Sequence, residues 1–262
     1  MTRLYPLFSG SSGNSYYIGT RESGILIDIG RSAKQMENAL RENELDPGNV
    51  RAIFITHEHS DHIQGLRVFA GRYGIEVYSS AGTLNALEQK NLINGRVNIS
   101  PLGLEGIEAD EMKVIPFHTS HDCAEGYGYV VECSDGRRTA FATDTGYITA
   151  EMSDSIAGCD TVVIESNHDV RMLESGAYPY ILKKRILSDI GHLSNDTCAG
   201  RLTELVKGGT TRILLAHLSR ENNIPALAEQ TSLCELQLSG MKRNRDFMLG
   251  VAPEQGGKVW IY

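Results

Sequence analysis

No apolar run in this 262-residue chain reaches the roughly 20 residues a membrane-spanning helix needs. The N-terminus shows no apolar segment behind a basic start, so a secretion signal is not expected. Cysteine is sparse and scattered. Cys123, Cys133, Cys159, Cys198 and Cys234 include no CxxC pair, and an odd, dispersed set fits a reducing cytoplasm better than a disulfide framework. Together these absences point to a soluble cytoplasmic protein with no membrane partner. Positive charge is also short: the formal net charge is −8. That balance argues against a broad electrostatic nucleic-acid surface, while leaving room for a local basic groove or for bound cations that attract anions. Linkers, low-complexity tracts and short-period repeats are missing as well. The apolar fraction, 41%, is ordinary for a globular protein, and the length allows a substantial core.

Against that plain background one stretch is dense in chemistry: Thr56-His57-Glu58-His59-Ser60-Asp61-His62. It follows the apolar run Ala52-Ile53-Phe54-Ile55, which reads as a buried strand, and precedes residues 63–73, which read as a helix. In an extended backbone His57 and His59 point the same way, and Asp61 and His62 turn with the chain into the helix start. Two imidazoles on one side, with a carboxylate and an imidazole beside them, can hold two adjacent metal ions. Such donors suit zinc, manganese or iron.

In chain order, residues 3–8, 14–19 and 24–29 read as three short antiparallel strands. The loop Ser9-Gly10-Ser11-Ser12-Gly13 between the first two can offer backbone N–H groups to an anion or serve as a simple hairpin turn. Ser32 reads as the cap of a helix over 33–44, broken by Asp46-Pro47-Gly48. A strand at 76–78 and a helix at 81–90 follow, then strand-like alternation over 96–117. Residues 126–133 and 138–143 pair across Asp135-Gly136. A strand at 161–164, helices around 179–189 and 196–207, a strand at 213–216, a helix over 225–236 begun by Pro225, and strands near 246–251 and 258–262 complete the chain. Ser194 or Asn195 caps the helix over 196–207. Strands then helices in each half suggest two stacked sheets flanked by helices, an α/β sandwich.

Five apolar strands, 53–55, 114–117, 139–142, 161–164 and 213–216, end in polar tips bearing His, Asp or Glu. All eight histidines lie at or near such tips or at the turn before a helix. Sites gather at an edge where strands end.

The HxHxDH run resembles the signature of the metallo-β-lactamase superfamily. The resemblance implies an αββα four-layer sandwich made of two βαβ-type halves, occupying residues 1–262 as a single domain. It also implies the remaining ligands of a two-metal centre: a third histidine, an aspartate shared by both ions, and a last histidine. Asp144, in Thr143-Asp144-Thr145-Gly146, resembles the shared position, and His217, in Leu215-Ala216-His217-Leu218-Ser219, the last. The third histidine is His118 or His121. His121 is preferred, because related hydrolases place this ligand shortly before a Gly-Tyr pair and Gly126-Tyr127 follows. The implied set is therefore His57, His59, Asp61, His62, His121, Asp144 and His217, holding two divalent ions.

The opening Leu7-Phe8-Ser9-Gly10-Ser11-Ser12-Gly13-Asn14-Ser15 is similar to the YycJ (WalJ) group within that superfamily. So are Thr143-Asp144-Thr145-Gly146-Tyr147, Glu165-Ser166-Asn167-His168-Asp169, Gly191-His192-Leu193-Ser194-Asn195 and the segment from His217 to Asn223. That likeness implies a metal-dependent nuclease acting on DNA from the 5′ end. Two metals about 3.5–4 Å apart yield a bridging hydroxide near neutral pH and stabilise charge on the phosphoryl oxygens. Asp61 would bind one ion and orient the nucleophile. A more distant similarity to ribonuclease Z makes His192 the candidate proton donor or phosphate ligand, with Glu165 as its orienting partner and the following helix start adding N–H groups near the anion. The chain has no long insertion like the flexible arm of ribonuclease Z and no inserted β-CASP domain. A small or cyclic phosphodiester is the alternative substrate, a thioester or lactone a more distant one, and an electron-transfer role lacks its flavodoxin-like domain. Arg171, Lys183, Lys184, Arg185, Arg220, Lys242, Arg243 and Arg245 are the cations available to a polyanion in the second half.

Overall fold

Strands buried on both faces must feed two different cores, and side-chain alternation shows this chain doing so. In the computed structural model, which describes residues 2–93 and 95–260, Leu26 and Ile53 face one apolar cluster while Ile25, Ile27 and Phe54 face another. Val163 and Leu214 face that second cluster from the other side, and Val162, Ile164, Ile213 and Leu215 face a third. The second cluster is the seam between two sheets. It is closed by aromatic contacts such as Phe54 edge-on to Tyr129, with centroids 5.7 Å apart, and Tyr16 against Phe141 at 5.5 Å.

The first sheet runs in sequence order: β1 (Arg3–Phe8), β2 (Ser15–Gly19), β3 (Gly24–Ile27), β4 (Val50–Phe54), β5 (Glu76–Ser79) and β6 (Ile99–Pro101). The second does the same: β7 (Ile107–Ala109), β8 (Met112–His118), β9 (Tyr127–Cys133), β10 (Arg138–Ala142), β11 (Thr161–Glu165), β12 (Arg212–Ala216) and β13 (Met248–Val251). Each sheet begins with antiparallel neighbours and continues with parallel ones, from β3 to β6 and from β10 to β13. The echo between the halves is thus a repeat of topology. Parallel neighbours need crossovers, and helices supply most of them. On the first sheet these are α1 (Ala33–Glu42), α2 (Ser60–Ile63), α3 (Leu66–Tyr73) and α4 (Ala81–Gln89). On the second they are α5 (Ala150–Ile156), α6 (Val170–Ser175), α7 (Tyr180–Ile186), α8 (Asn195–Lys207) and α9 (Pro225–Leu238). Met36, Leu40, Phe69 and Leu87 pack outside the first sheet, and Met152, Cys198, Leu202 and Leu236 outside the second. The fold is the αββα metallo-β-lactamase-like sandwich.

Several local expectations are corrected. The helix expected over 63–73 is two pieces, α2 and α3. Gly65 N–H donates to Ile29 O at 3.0 Å, and His62 O accepts from Ile29 N–H at 2.8 Å, so backbone bonds leave the helix for the loop after β3. The helix expected around 179–189 stops at Ile186. Helices α5 and α6 were not anticipated. Each is a short element with two buried positions or fewer, capped by Thr149 and Asp169. Of the closing strand expected at 258–262, Trp260 makes a single antiparallel bridge to Leu4, and residues 261–262 lie outside the described residues. Ser194, not Asn195, caps α8.

Candidate metal centre

The carboxyl ends of β3, β4, β10, β11 and β12 meet at one edge of the sandwich, and three residues there leave their strands in the left-handed region. Asp28 has φ 60°, Asp144 φ 57° and His217 φ 54°. Non-glycine residues take this conformation rarely, at a cost of about 1–3 kcal/mol each, and such strain concentrates at functional sites. Gly30 permits the closest approach in the region: a Cβ there would sit 1.7 Å from Asp61 O.

Four of the five candidate ligand histidines are anchored by Nδ1. His57 Nδ1 lies 3.0 Å from Thr56 Oγ1, His62 Nδ1 2.8 Å from Asp28 Oδ2, His121 Nδ1 3.0 Å from Gly191 O, and His217 Nδ1 2.7 Å from Glu165 Oε1. Anchoring one ring nitrogen fixes the ring and presents the other, which is how imidazole ligands are held. Nε2 of His57 and of His217 and Oδ2 of Asp144 are buried and have no hydrogen-bond partner. Buried polar atoms are rarely left unpaired, so these three have the character of donors awaiting a cation.

The donors fall into interlocking groups with ligand atoms within 4.8 Å of one another: His57, His59 and His121; Asp61, His62 and His217; and His57, His62 and Asp144. Asp144 joins the sides, with Oδ2 3.4 Å from His62 Nε2 and Oδ1 3.9 Å from His121 Nε2. A fourth group unites Asp144, Glu165, His192 and His217. This is a dinuclear metal-binding site of imidazole and carboxylate donors with no thiolate in the set.

His118 stands apart, 43% exposed at its side chain and 3.0 Å from Glu151. His168 is buried behind the site with both ring nitrogens unpartnered, and burial lowers its pKa to about 4. The carboxylates at the polar strand tips are enclosed: Asp144 is buried and Asp61 only partly accessible.

Charge is the dominant local force. Burial opposes protonation of His62 and His217, yet Asp144 and its neighbouring carboxylates outweigh it. They raise His62 well above its ordinary range and His217 to about 10. Burial would raise Asp61 and Glu165, but His62 and His217 around the first, and His192 and His217 around the second, hold both well below the usual carboxylate range. His57 and His121 are lowered, first by burial.

Glu165 is fully buried and accepts four hydrogen bonds. His192 Nδ1 (2.8 Å) and His217 Nδ1 (2.7 Å) meet Oε1, and the N–H groups of Thr145 and Leu193 (both 3.1 Å) meet Oε2. Gly191 lets the His192 turn pass under the end of α7, where a Cβ would lie 2.2 Å from Ile186 O. Around the start of α8 the N–H groups of Leu193, Asn195 and Thr197 are committed, to Glu165, His168 O and Ser194 Oγ, and so are not available to an anion. Likewise Gly10, Gly13 and Asn14 in the first loop spend their N–H groups on Asn14 Oδ1, Gly10 O and Asp61 O.

Sequence reasoning missed Asp28, Thr56, Asn14 and Ser9 as supports. Thr56 N–H and Oγ1 both bond Asp28, Asn14 Nδ2 lies 3.3 Å from Asp61 Oδ2, and Ser9 Oγ accepts from His217 N–H at 2.9 Å. Asp28, closing a buried strand two residues before Gly30, was the one visible signal among them. A pocket opens over the centre. Ser11, Asn167 and Ser219 line it with the histidines, and Tyr178, Leu182, Arg185 and Ile186 form its far wall. Arg185 is paired with Asp122, and Lys183 donates to Glu174 O and Gly176 O. Lys184 lies 5.7 Å over the Tyr180 ring, whereas Arg243 and Arg245 pair with Glu229 and Asp246.

A Beta-lactamase superfamily domain model matches residues 24–250. Exodeoxyribonuclease YycJ of Bacillus anthracis is 41% identical over 227 residues, covering 86% of this chain and 85% of that protein. Exodeoxyribonuclease WalJ of Streptococcus pneumoniae serotype 2 is 38% identical over 245 residues, covering 92% and 90%. Among solved structures, the metallo-β-lactamase fold protein YhfI from Bacillus subtilis superposes with a TM-score of 0.73 over 99% of this chain and 98% of that one. At 14% identity this speaks to fold alone.

Proposed function

The chain belongs to the metallo-β-lactamase superfamily, among its YycJ/WalJ-like members, and from that premise we propose that it is a metal-dependent phosphodiester hydrolase working as a 5′ DNA exonuclease. One domain over residues 1–262 carries the activity. The observation that carries the reading is the Glu165–His192 pair: an imidazole backed by a buried carboxylate, its ring 4.9 Å from His121 and 5.2 Å from His217, facing the same pocket as the metal donors. The thiolate leaving a thioester has little use for such a group, whereas a nucleoside alkoxide leaving phosphorus needs a proton.

His57, His59 and His121 would hold one ion and Asp61, His62 and His217 the other, with Asp144 between them. The donor set suits zinc, manganese or iron. When bound, such a pair supplies an activated water at neutral pH and neutralises phosphoryl charge. Asp61, hydrogen-bonded by Asn14, points the nucleophile. Glu165 fixes the tautomer of His192, whose Nε2 carries the proton for the departing oxygen. Tyr178, Leu182 and Ile186 give a sugar or base an apolar wall.

The relatives' described activity supports DNA as the substrate, and the apolar wall supports a nucleotide chain over a bare phosphoester. Cysteines that all stand as free thiols support a cytoplasmic setting, and no helix among the described residues is long and apolar enough to cross a membrane. The test is digestion of single- and double-stranded DNA labelled at either end, beside bis-nitrophenyl phosphate. Stepwise release of mononucleotides from the 5′ end is expected. Hydrolysis of the nitrophenyl ester with DNA left intact would refute the exonuclease reading.

A further inference from the structure

Beside the metal pocket lies a second cluster that the hydrolytic chemistry does not use. Ser11 and Ser219 line the pocket. Their chain neighbours Ser12 and Arg220 turn away from it and meet Arg31 and Glu254. Arg31 Nη2 donates to Ser12 Oγ at 2.5 Å, Ser12 Oγ donates to Glu254 Oε1 at 2.9 Å, Arg31 Nη2 lies 3.6 Å from that oxygen, and Arg220 Nη2 pairs with it too. Two guanidinium groups and a hydroxyl thus converge on one carboxylate oxygen. Arg31 is mostly buried, at 15% side-chain exposure, and its Nε is a buried donor with no partner. Burial, together with the charge of Arg220, lowers the Arg31 pKa, so the two cations are held close against their repulsion. The loop carrying Ser12 is tied to the metal centre on both sides, through Asn14 N–H to Asp61 O and Ser9 Oγ to His217 N–H.

We propose that Ser12, Arg31 and Arg220 form a subsite for the terminal phosphomonoester of the strand being cut, with Glu254 standing in the anion's place when no strand is bound. The inference rests on the nuclease reading and adds to it the feature that makes a nuclease start at an end. A terminal phosphomonoester carries nearly two negative charges at neutral pH, matching two guanidiniums, whereas an internal diester carries one. The unpartnered Arg31 Nε completes the forked edge that a phosphate engages with two hydrogen bonds. Glu254 is 41% exposed at its side chain on the segment after β13, so rotation of that side chain uncovers the three donors.

The experiment compares two DNA strands differing only in a 5′-phosphate or 5′-hydroxyl, using the metal-loaded full chain. Wild-type kcat/KM should favour the phosphorylated strand by about tenfold or more, the usual worth of charge-assisted contacts. Arg220→Ala should bring the ratio close to one, and Glu254→Gln should raise it. Both variants should leave bis-nitrophenyl phosphate hydrolysis unchanged. Arg220 is exposed, so its loss does not threaten folding, whereas Arg31 also stacks over Phe8 at 5.6 Å and is the less clean variant. A wild-type ratio near one, or a ratio unmoved by Arg220→Ala and Glu254→Gln, overturns the subsite. If no DNA is cut, the nuclease reading has failed. The subsite then stands or falls on whether a fluorescent hexanucleotide binds more tightly with a 5′-phosphate than without one, in a manner abolished by Arg220→Ala.

Discussion

Replacing Glu165 by Gln keeps the side-chain volume and removes the carboxylate that accepts hydrogen bonds from both a metal-site histidine and the proposed proton donor. In the native protein Oε1 accepts from His192 and His217, and Oε2 from two backbone N–H groups. An amide has a single acceptor oxygen, so either the imidazole pair or the backbone pair must face its NH2 group. Hydrogen bonds to a charged partner contribute about 1.5–3 kcal/mol each, so losing the imidazole pair removes about 3–6 kcal/mol of positioning energy, split between His217 and His192. For His217 the expected consequence is metal affinity lower by about 10–100-fold. For His192 it is a poorer proton donor, costing up to about 10²–10⁴-fold on substrates with a bad leaving group. The assay is metal content after dialysis against graded chelator, followed by rates at limiting and saturating metal. At limiting metal both DNA and bis-nitrophenyl phosphate should be cleaved slowly. At saturating metal the nitrophenyl ester should recover and DNA should not. Wild-type metal retention with wild-type DNA cleavage would refute the claim that Glu165 couples the two.

His192→Ala should depress DNA cleavage by about 10²–10⁴-fold with metal content unchanged, and barely slow bis-nitrophenyl phosphate, since nitrophenolate needs little protonation. An equal loss on both substrates would assign His192 to phosphate binding instead. Asp61→Asn and Asp144→Asn should abolish hydrolysis while far-ultraviolet circular dichroism stays native. Thermal melts of the metal-free Asp144→Asn protein should shift, because that carboxylate offsets protonated His62 and His217. Near-wild-type turnover in either variant would contradict the assignment. Metal loading should also release protons. His217, raised to about 10, is protonated at pH 7.5 and must deprotonate to bind, and His62 is shifted in the same direction by its neighbouring carboxylates. Calorimetry in buffers of different ionisation enthalpy should therefore show net proton release on loading, with affinity rising with pH. The same raised pKa fixes the sign for the metal-free fold. The contribution of His217 is fully present below 6.5 and is lost as pH rises through about 10.

The first half of the site was legible because its donors are contiguous. The HxHxDH turn sits between an apolar run and a helix start, and period-2 burial of Ile53 and Phe54 on opposite faces follows from strand geometry alone. Asp144 and His217 were legible only through resemblance, since nothing in local pattern says that β10 and β12, far apart in sequence, flank one strand and end at the same edge. The supports Asp28 and Thr56 escaped because their role depends on a left-handed backbone at Asp28 and on hydrogen bonds across strands. Helices α5 and α6 escaped because a helix of six or seven residues has too few turns to show a period. The cluster of Ser12, Arg31, Arg220 and Glu254 is assembled from positions up to 242 residues apart, beyond any local signal.

The central claim is that these side chains hold two ions, and anomalous diffraction from crystals loaded with manganese or zinc tests it most directly. Two peaks are predicted, one among His57, His59 and His121 and one among Asp61, His62 and His217, with Asp144 contacting both. A single peak, or a second ion placed at His118 and Glu151 instead, would contradict the account.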